Sequence, residues 1–132
     1  MSREAVSLTE AEWKVMEEIW DSGAATGREL TERMEKKMGW NRSTTLTLLR
    51  RMEGKKALEV RQDGTVRVFS PLLRREDAAM QETESFLSRV YHGSLSLMVS
   101  TLSRRQALSR KEIEELYALL KEAEEKRNDC MD

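Results

Sequence analysis

Apolar residues recur at intervals of three and four through most of the chain, and one short stretch replaces that rhythm with alternation. The first helical run is introduced by Thr9 and Glu12, the pair that forms a capping box when hydroxyl and carboxylate satisfy the amides a helix start leaves free. Trp13, Met16, Ile19 and Trp20 then share a face, and Gly23 supplies a left-handed stop. Thr26 and Glu29 repeat the box ahead of Leu30 and Met34, predicting a second helix that ends near Met38-Gly39, with the Gly23 to Gly27 stretch read as a turn or a short edge strand. Asn41 caps a third helix carrying Leu46, Leu49 and Met52 toward the core and ending at about Gly54.

Leu58 to Gln62 and Thr65 to Phe69 alternate, or nearly so, around Asp63-Gly64, which predicts a β-hairpin. Pro71 closes it, and a compact unit is expected over residues 1–72. Beyond Arg74 the helical period returns: Met80, Phe86, Leu87, Val90 and Tyr91, a break at His92-Gly93, then Leu95, Met98 and Leu102. A last helix starts at Ser109 with Glu112 three residues on, and Ile113, Leu116, Tyr117, Leu120 and Ala123 make a one-sided stripe. The fold class expected is mainly α with a small β-hairpin: a winged helix-turn-helix over residues 1–72, then a helical dimerisation segment over residues 73–132.

Charge sharpens that outline. The net charge is only −1, yet Met1 to Glu32 holds three Lys/Arg against eight Asp/Glu, while Trp40 to Arg67 holds seven against three. A basic segment therefore coincides with the third helix and hairpin. In a winged helix the third helix enters the major groove, and Arg42, Ser43, Thr44, Thr47, Arg50 and Arg51 offer the hydroxyls and guanidinium groups that contact phosphates and base edges. Arg61 and Arg67, either side of Asp63-Gly64, are expected to anchor the wing on the flanking backbone. Helices after Pro71 are too few to enclose a large core, so Phe86, Val90, Leu95, Met98, Leu102, Ile113, Leu116 and Leu120 are expected to pair with a second copy.

The order of these motifs resembles the penicillinase and methicillin-resistance repressors and their copper-responsive relatives. Leu8-Thr9-Glu10-Ala11-Glu12-Trp13-Lys14-Val15-Met16 with Ile19-Trp20 is similar to that family's opening helix. Trp40 and Ser43-Thr44-Thr45-Leu46-Thr47-Leu48-Leu49-Arg50-Arg51-Met52 resemble its recognition helix. Phe86 to Gly93 and Lys111 to Leu116 resemble its dimerisation segment. The resemblance implies a homodimeric repressor bound to a dyad-symmetric DNA operator and controlling β-lactam resistance or a related stress response. It also implies a sensor-linked protease as partner. That protease cuts an Asn-Phe bond in the relatives, and the ungapped counterpart here is Thr101-Leu102, a departure from the pattern. The paired cysteines of the copper-responsive branch are missing as well, since Cys130 stands alone, so neither a metal nor any other cofactor is expected.

Other classes fare worse on the residues. A winged helix that binds protein instead of DNA would leave the third-helix face uncharged or acidic, against Arg42, Arg50 and Arg51. His92 is the single histidine and has no nucleophile or acid in a motif beside it, which argues against a hydrolase. The Glu pairs alternate with Lys and Arg as on solvated helices, and Met16, Met34, Met52, Met80 and Met98 fall on stripes assigned to cores. No run of about 18 apolar residues exists to span a membrane, no signal peptide is evident, and a cytoplasmic protein is expected.

Overall fold

The computed structural model describes residues 6–130. Six helices and three short strands follow in the order α1 (Glu10–Ser22), β1 (Ala25–Thr26), α2 (Gly27–Met38), α3 (Arg42–Gly54), β2 (Leu58–Asp63), β3 (Val66–Pro71), α4 (Arg75–Tyr91), α5 (Leu95–Arg104) and α6 (Arg110–Cys130). The helix starts lie where the capping chemistry puts them. Thr9 and Glu12 exchange hydrogen bonds of 3.1 and 2.8 Å, and Thr26 and Glu29 exchange 3.1 and 2.9 Å. A third reciprocal pair, Ser109 with Glu112, opens α6.

The chain forms two compact units, residues 1–85 and 86–132. In the first, Val15, Met16 and Ile19 of α1, Leu30 and Met34 of α2, and Leu48, Leu49 and Met52 of α3 meet Leu58 and Phe69 of the sheet in one core. Leu73 and Ala78 are buried in it too, so this unit continues past the Leu72 boundary expected from Pro71. Three side-chain contacts hold the exit from β3: the Trp20 indole N–H donates to the Leu73 carbonyl at 2.9 Å, and Arg75 lies over the Trp20 ring while pairing with Asp21 at 2.9 Å.

Two apolar stripes differ from expectation. On α1 the fully enclosed side chains include Val15, whereas Trp13 and Trp20 are half-buried flankers in edge-to-face contact at 5.4 Å. Each ring keeps an indole N–H that needs an acceptor, and Trp13 finds Glu17 at 2.9 Å. On α3 the buried line is Thr45, Leu48, Leu49 and Met52, and Leu46 is only half-buried. Thr45 takes a core position that a hydropathy reading passes over.

β3 is the central strand of an antiparallel sheet of order β1-β3-β2. The β2–β3 register pairs Asp63 with Val66, which puts Gly64-Thr65 at the centre of the turn, one residue later than the Asp63-Gly64 expected. Gly64 has φ +66 and Thr65 does not share the positive φ, the arrangement in which glycine leads a two-residue loop. Leu58, Val60, Gln62, Arg67 and Phe69 fall on one face of the ribbon, and Glu59, Arg61, Asp63, Val66 and Val68 on the other.

In the second unit, α5 is capped by Ser94, whose hydroxyl accepts from the Leu97 amide at 3.0 Å. None of residues 86–129 is buried, and Phe86, Val90, Leu95, Leu97, Leu102, Ile113, Leu116, Tyr117, Leu119 and Leu120 all present apolar surface. Met80, assigned to a core by its spacing, is 59% exposed on α4. Among the described residues no helix is long and apolar enough to cross a membrane.

Candidate nucleic-acid interface

α3 presents its outward face because its other side is committed to the core. With 3.6 residues per turn, burying Thr45, Leu48, Leu49 and Met52 turns Ser43, Thr47 and Arg50 into the line farthest from the core, with Thr44 and Arg51 on one flank and Arg42 and Leu46 on the other. Ser43, Arg50 and Arg51 are exposed and Thr47 is half-buried. Arg42, Arg50, Arg51 and Arg61 make no ion pair among those found between described residues. Thr44 is less free: its amide and hydroxyl both donate to the Asn41 carboxamide, at 2.8 and 3.0 Å, so its proton serves the helix cap.

A groove runs between the start of α2, the flank of α3 and the hairpin, lined by Thr26, Gly27, Arg28, Arg42, Leu46, Thr65, Val66, Arg67 and Phe69. Three guanidinium groups from three elements thus border one concavity. β1 makes this possible by pairing Thr26 with Val68, which lays the first turn of α2 beside the root of the hairpin. Gly27 lies against the Phe69 ring, and a Cβ there would meet it in ordinary contact at 3.4 Å. Arg67 itself lies over that ring at 5.6 Å and pairs with Glu53 at 3.4 Å.

The structure brings Arg42 and Arg67 together but not Arg61. Arg61 opposes Val68, on the ribbon face turned away from Val60, Phe69 and Arg67. Any two-residue turn joining these strands gives the same parity, so the separation was latent in the spacing. Arg28 is the groove residue that sequence reasoning missed. Its signal is positional, because a cation in the first turn of a helix opposes the macrodipole and gains nothing there; Glu32, one turn on, partners it at 3.2 Å.

No three His, Cys, Asp or Glu side chains converge among the described residues. The carboxyls of Glu12 and Glu29 are both helix-capping groups, held below the ordinary carboxylate value by the hydrogen bonds they accept.

Three packed helices, a hairpin closing on the third, and a polar helix face beside a basic groove define a winged helix-turn-helix of the DNA-binding kind. The chain belongs to the penicillinase repressor family, whose family model matches residues 8–122. That family consists of transcriptional repressors, DNA-binding regulators and not enzymes. The chain is 34% identical over 115 residues to the penicillinase repressor of Bacillus licheniformis, covering 87% of this chain and 90% of that one. It is 27% identical over 120 residues to the methicillin resistance regulatory protein MecI of Staphylococcus aureus, covering 91% and 98%. Among solved structures it is similar to the DNA-binding domain of the repressor BlaI, with a TM-score of 0.53 and 28% identity over 58% of this chain and 93% of that one. The monomeric form of Bacillus licheniformis BlaI in complex with the blaP half-operator gives a TM-score of 0.52 at the same identity and coverage.

Proposed function

We propose that this protein is a homodimeric, sequence-specific repressor that docks α3 in the major groove of each half of a dyad operator. The observation that carries the reading is the outward line Ser43, Thr47 and Arg50, flanked by Arg51 and bordered by the groove of Arg28, Arg42 and Arg67. Hydroxyl and guanidinium groups on the outer line suit base edges, and the groove arginines suit the flanking phosphates. Complexation of a BlaI relative with a half-operator supports the DNA assignment. Names such as penicillinase repressor and methicillin resistance regulatory protein support control of a β-lactam resistance response.

Residues 1–72 act as the DNA-binding part, its core completed by Leu73 and Ala78, and the dimerisation part is supplied by the helices within residues 73–132. The exposed Phe86, Val90, Leu95, Leu102, Ile113, Leu116 and Leu120, with half-buried Met98, supply the surface that a second copy covers. Thr101-Leu102 lies in α5 at the position where relatives of this kind would be cut by a sensor-linked protease. Thr101 is exposed but its hydroxyl donates to the Leu97 carbonyl, so helical backbone would have to open before hydrolysis.

The test is fluorescence anisotropy of the purified protein on DNA from upstream of its own gene, against scrambled DNA at about 150 mM salt, followed across a salt series. A preference of roughly a thousandfold or more with a slope of several phosphate contacts is expected. Equal and weak binding to the two, repeated across a genomic library of upstream fragments, would overturn sequence-specific recognition.

A further inference from the structure

Glu53 is the one acidic residue of α3, and it lies in the last turn of that helix. The macrodipole disfavours a carboxylate there, so helix stability gives no reason for it. It also lies in the basic segment, on the flank of α3 that carries Arg42 and Leu46 and faces the hairpin. Its carboxylate accepts from an Arg67 guanidinium nitrogen at 3.4 Å, across 14 positions of sequence, and the Phe69 ring supports the same guanidinium from beneath. The pair is open to water on both sides, with 55% of the Arg67 side chain and 42% of the Glu53 side chain exposed, so it is easily broken.

We infer that Glu53 is a positioning residue that holds Arg67 in an ion pair in the free protein and releases it to DNA phosphate only when α3 is closely seated. This rests on the DNA-binding reading above. An approaching phosphate must displace the Glu53 carboxylate or share Arg67 with it, and the two anions repel. A loosely bound, non-specific duplex does not bring its backbone close enough to win that exchange. The wing cation is thereby subtracted from non-specific binding, while Arg42, on the same groove, continues to attract any duplex. Glu53 in this way raises discrimination by withholding one contact.

The test uses the full chain and a random-sequence duplex over a salt series starting at about 50 mM. Glu53→Gln is expected to tighten random-duplex binding roughly two- to fivefold, the equivalent of an exposed pair, and to steepen the log–log salt slope by about one phosphate contact. In the Arg67→Ala background the same substitution should change neither quantity. Both variants alter exposed side chains, and an unchanged melting temperature checks that they fold. An unchanged affinity and slope for Glu53→Gln overturns the inference, as does an effect of equal size without Arg67, which would mean that the carboxylate repels DNA directly. Failure of the wild-type protein to bind any duplex even at low salt would instead remove the DNA-binding reading, and this inference with it.

Discussion

Glu12 shows how much a single buried carboxylate organises. It is 1% exposed, caps α1 through Thr9, and meets the Lys55 ammonium at 2.6 Å, while Lys55 also donates to the Ser7 carbonyl at 2.9 Å. Burial pushes its pKa up, but the hydrogen bonds from Lys55 and Thr9 outweigh burial and leave it below the ordinary carboxylate value. A folded-state pKa below the unfolded one means that the unfolded chain binds more protons, so this stabilisation is present above the unfolded value and lost as pH falls through the folded one. Lys55→Met should therefore destabilise the first unit by about 1–3 kcal/mol near neutral pH, with the loss shrinking in acid. Urea melts at several pH values would detect this, and a pH-independent loss would count against the pairing. On the outer face of α3, Arg50→Ala should cost about 1–3 kcal/mol of operator affinity, read by anisotropy, and relax base preference at one position. These two residues mark the difference in legibility at this scale. The Thr9-Glu12 box is visible as spacing, but the burial of Glu12 and its link to Lys55 join residues 43 positions apart and leave no local trace.

At the scale of elements, the sequence carried the starts of helices better than their faces. Capping boxes are local chemistry, and all three expected from Thr9, Thr26 and Ser109 are made. The α3 face is set by packing against α1, α2 and the sheet, which is why Thr45 enters the core and Leu46 borders the groove. The end of α3 shows a similar displacement. The residue with left-handed backbone is Lys56, at φ +65, two positions after Gly54. Lys56→Gly should stabilise the fold by about 1 kcal/mol, since glycine adopts that conformation without a Cβ penalty. A thermal melt checks it, and no rise in Tm would mean that the lysine side chain contributes something of similar size. The ribbon register supports a second prediction at this scale. Arg67→Ala should lower the salt slope of operator binding by about one contact and Arg61→Ala should leave it nearly unchanged; equal effects would contradict the assignment of the two residues to opposite faces.

Across the whole molecule, the two units differ in kind. Among the described residues the first unit encloses a core of fourteen buried apolar side chains drawn from the helices, the sheet and the start of α4. Residues 86–129 bury none and leave Tyr117 73% and Leu119 and Leu120 60% exposed on α6. Covering such a surface with its symmetry mate would link folding of this unit to protein concentration. Leu116→Asp with Leu120→Asp should yield a monomer by sedimentation equilibrium and weaken operator binding, and a double variant that stays dimeric would put the interface on other helices. The stripe of Ile113, Leu116, Tyr117 and Leu120 was readable from its period alone. Leu119, which broadens it, was not, because a residue off the stripe gains meaning only once the helix is seen to lack cover.

The two-sided hairpin has a consequence for how such a protein can vary. Phe69 and Val60 anchor the ribbon, so its outer residues are fixed in orientation by counting from that anchor. Exchange of side chains along the wing alters strength by degrees. One residue inserted at Val68 would leave Phe69 in place yet rotate Arg67 out of the groove. Hairpin length between anchor and arginine should therefore be held far more strictly across descendants of this chain than the identity of the residues in between.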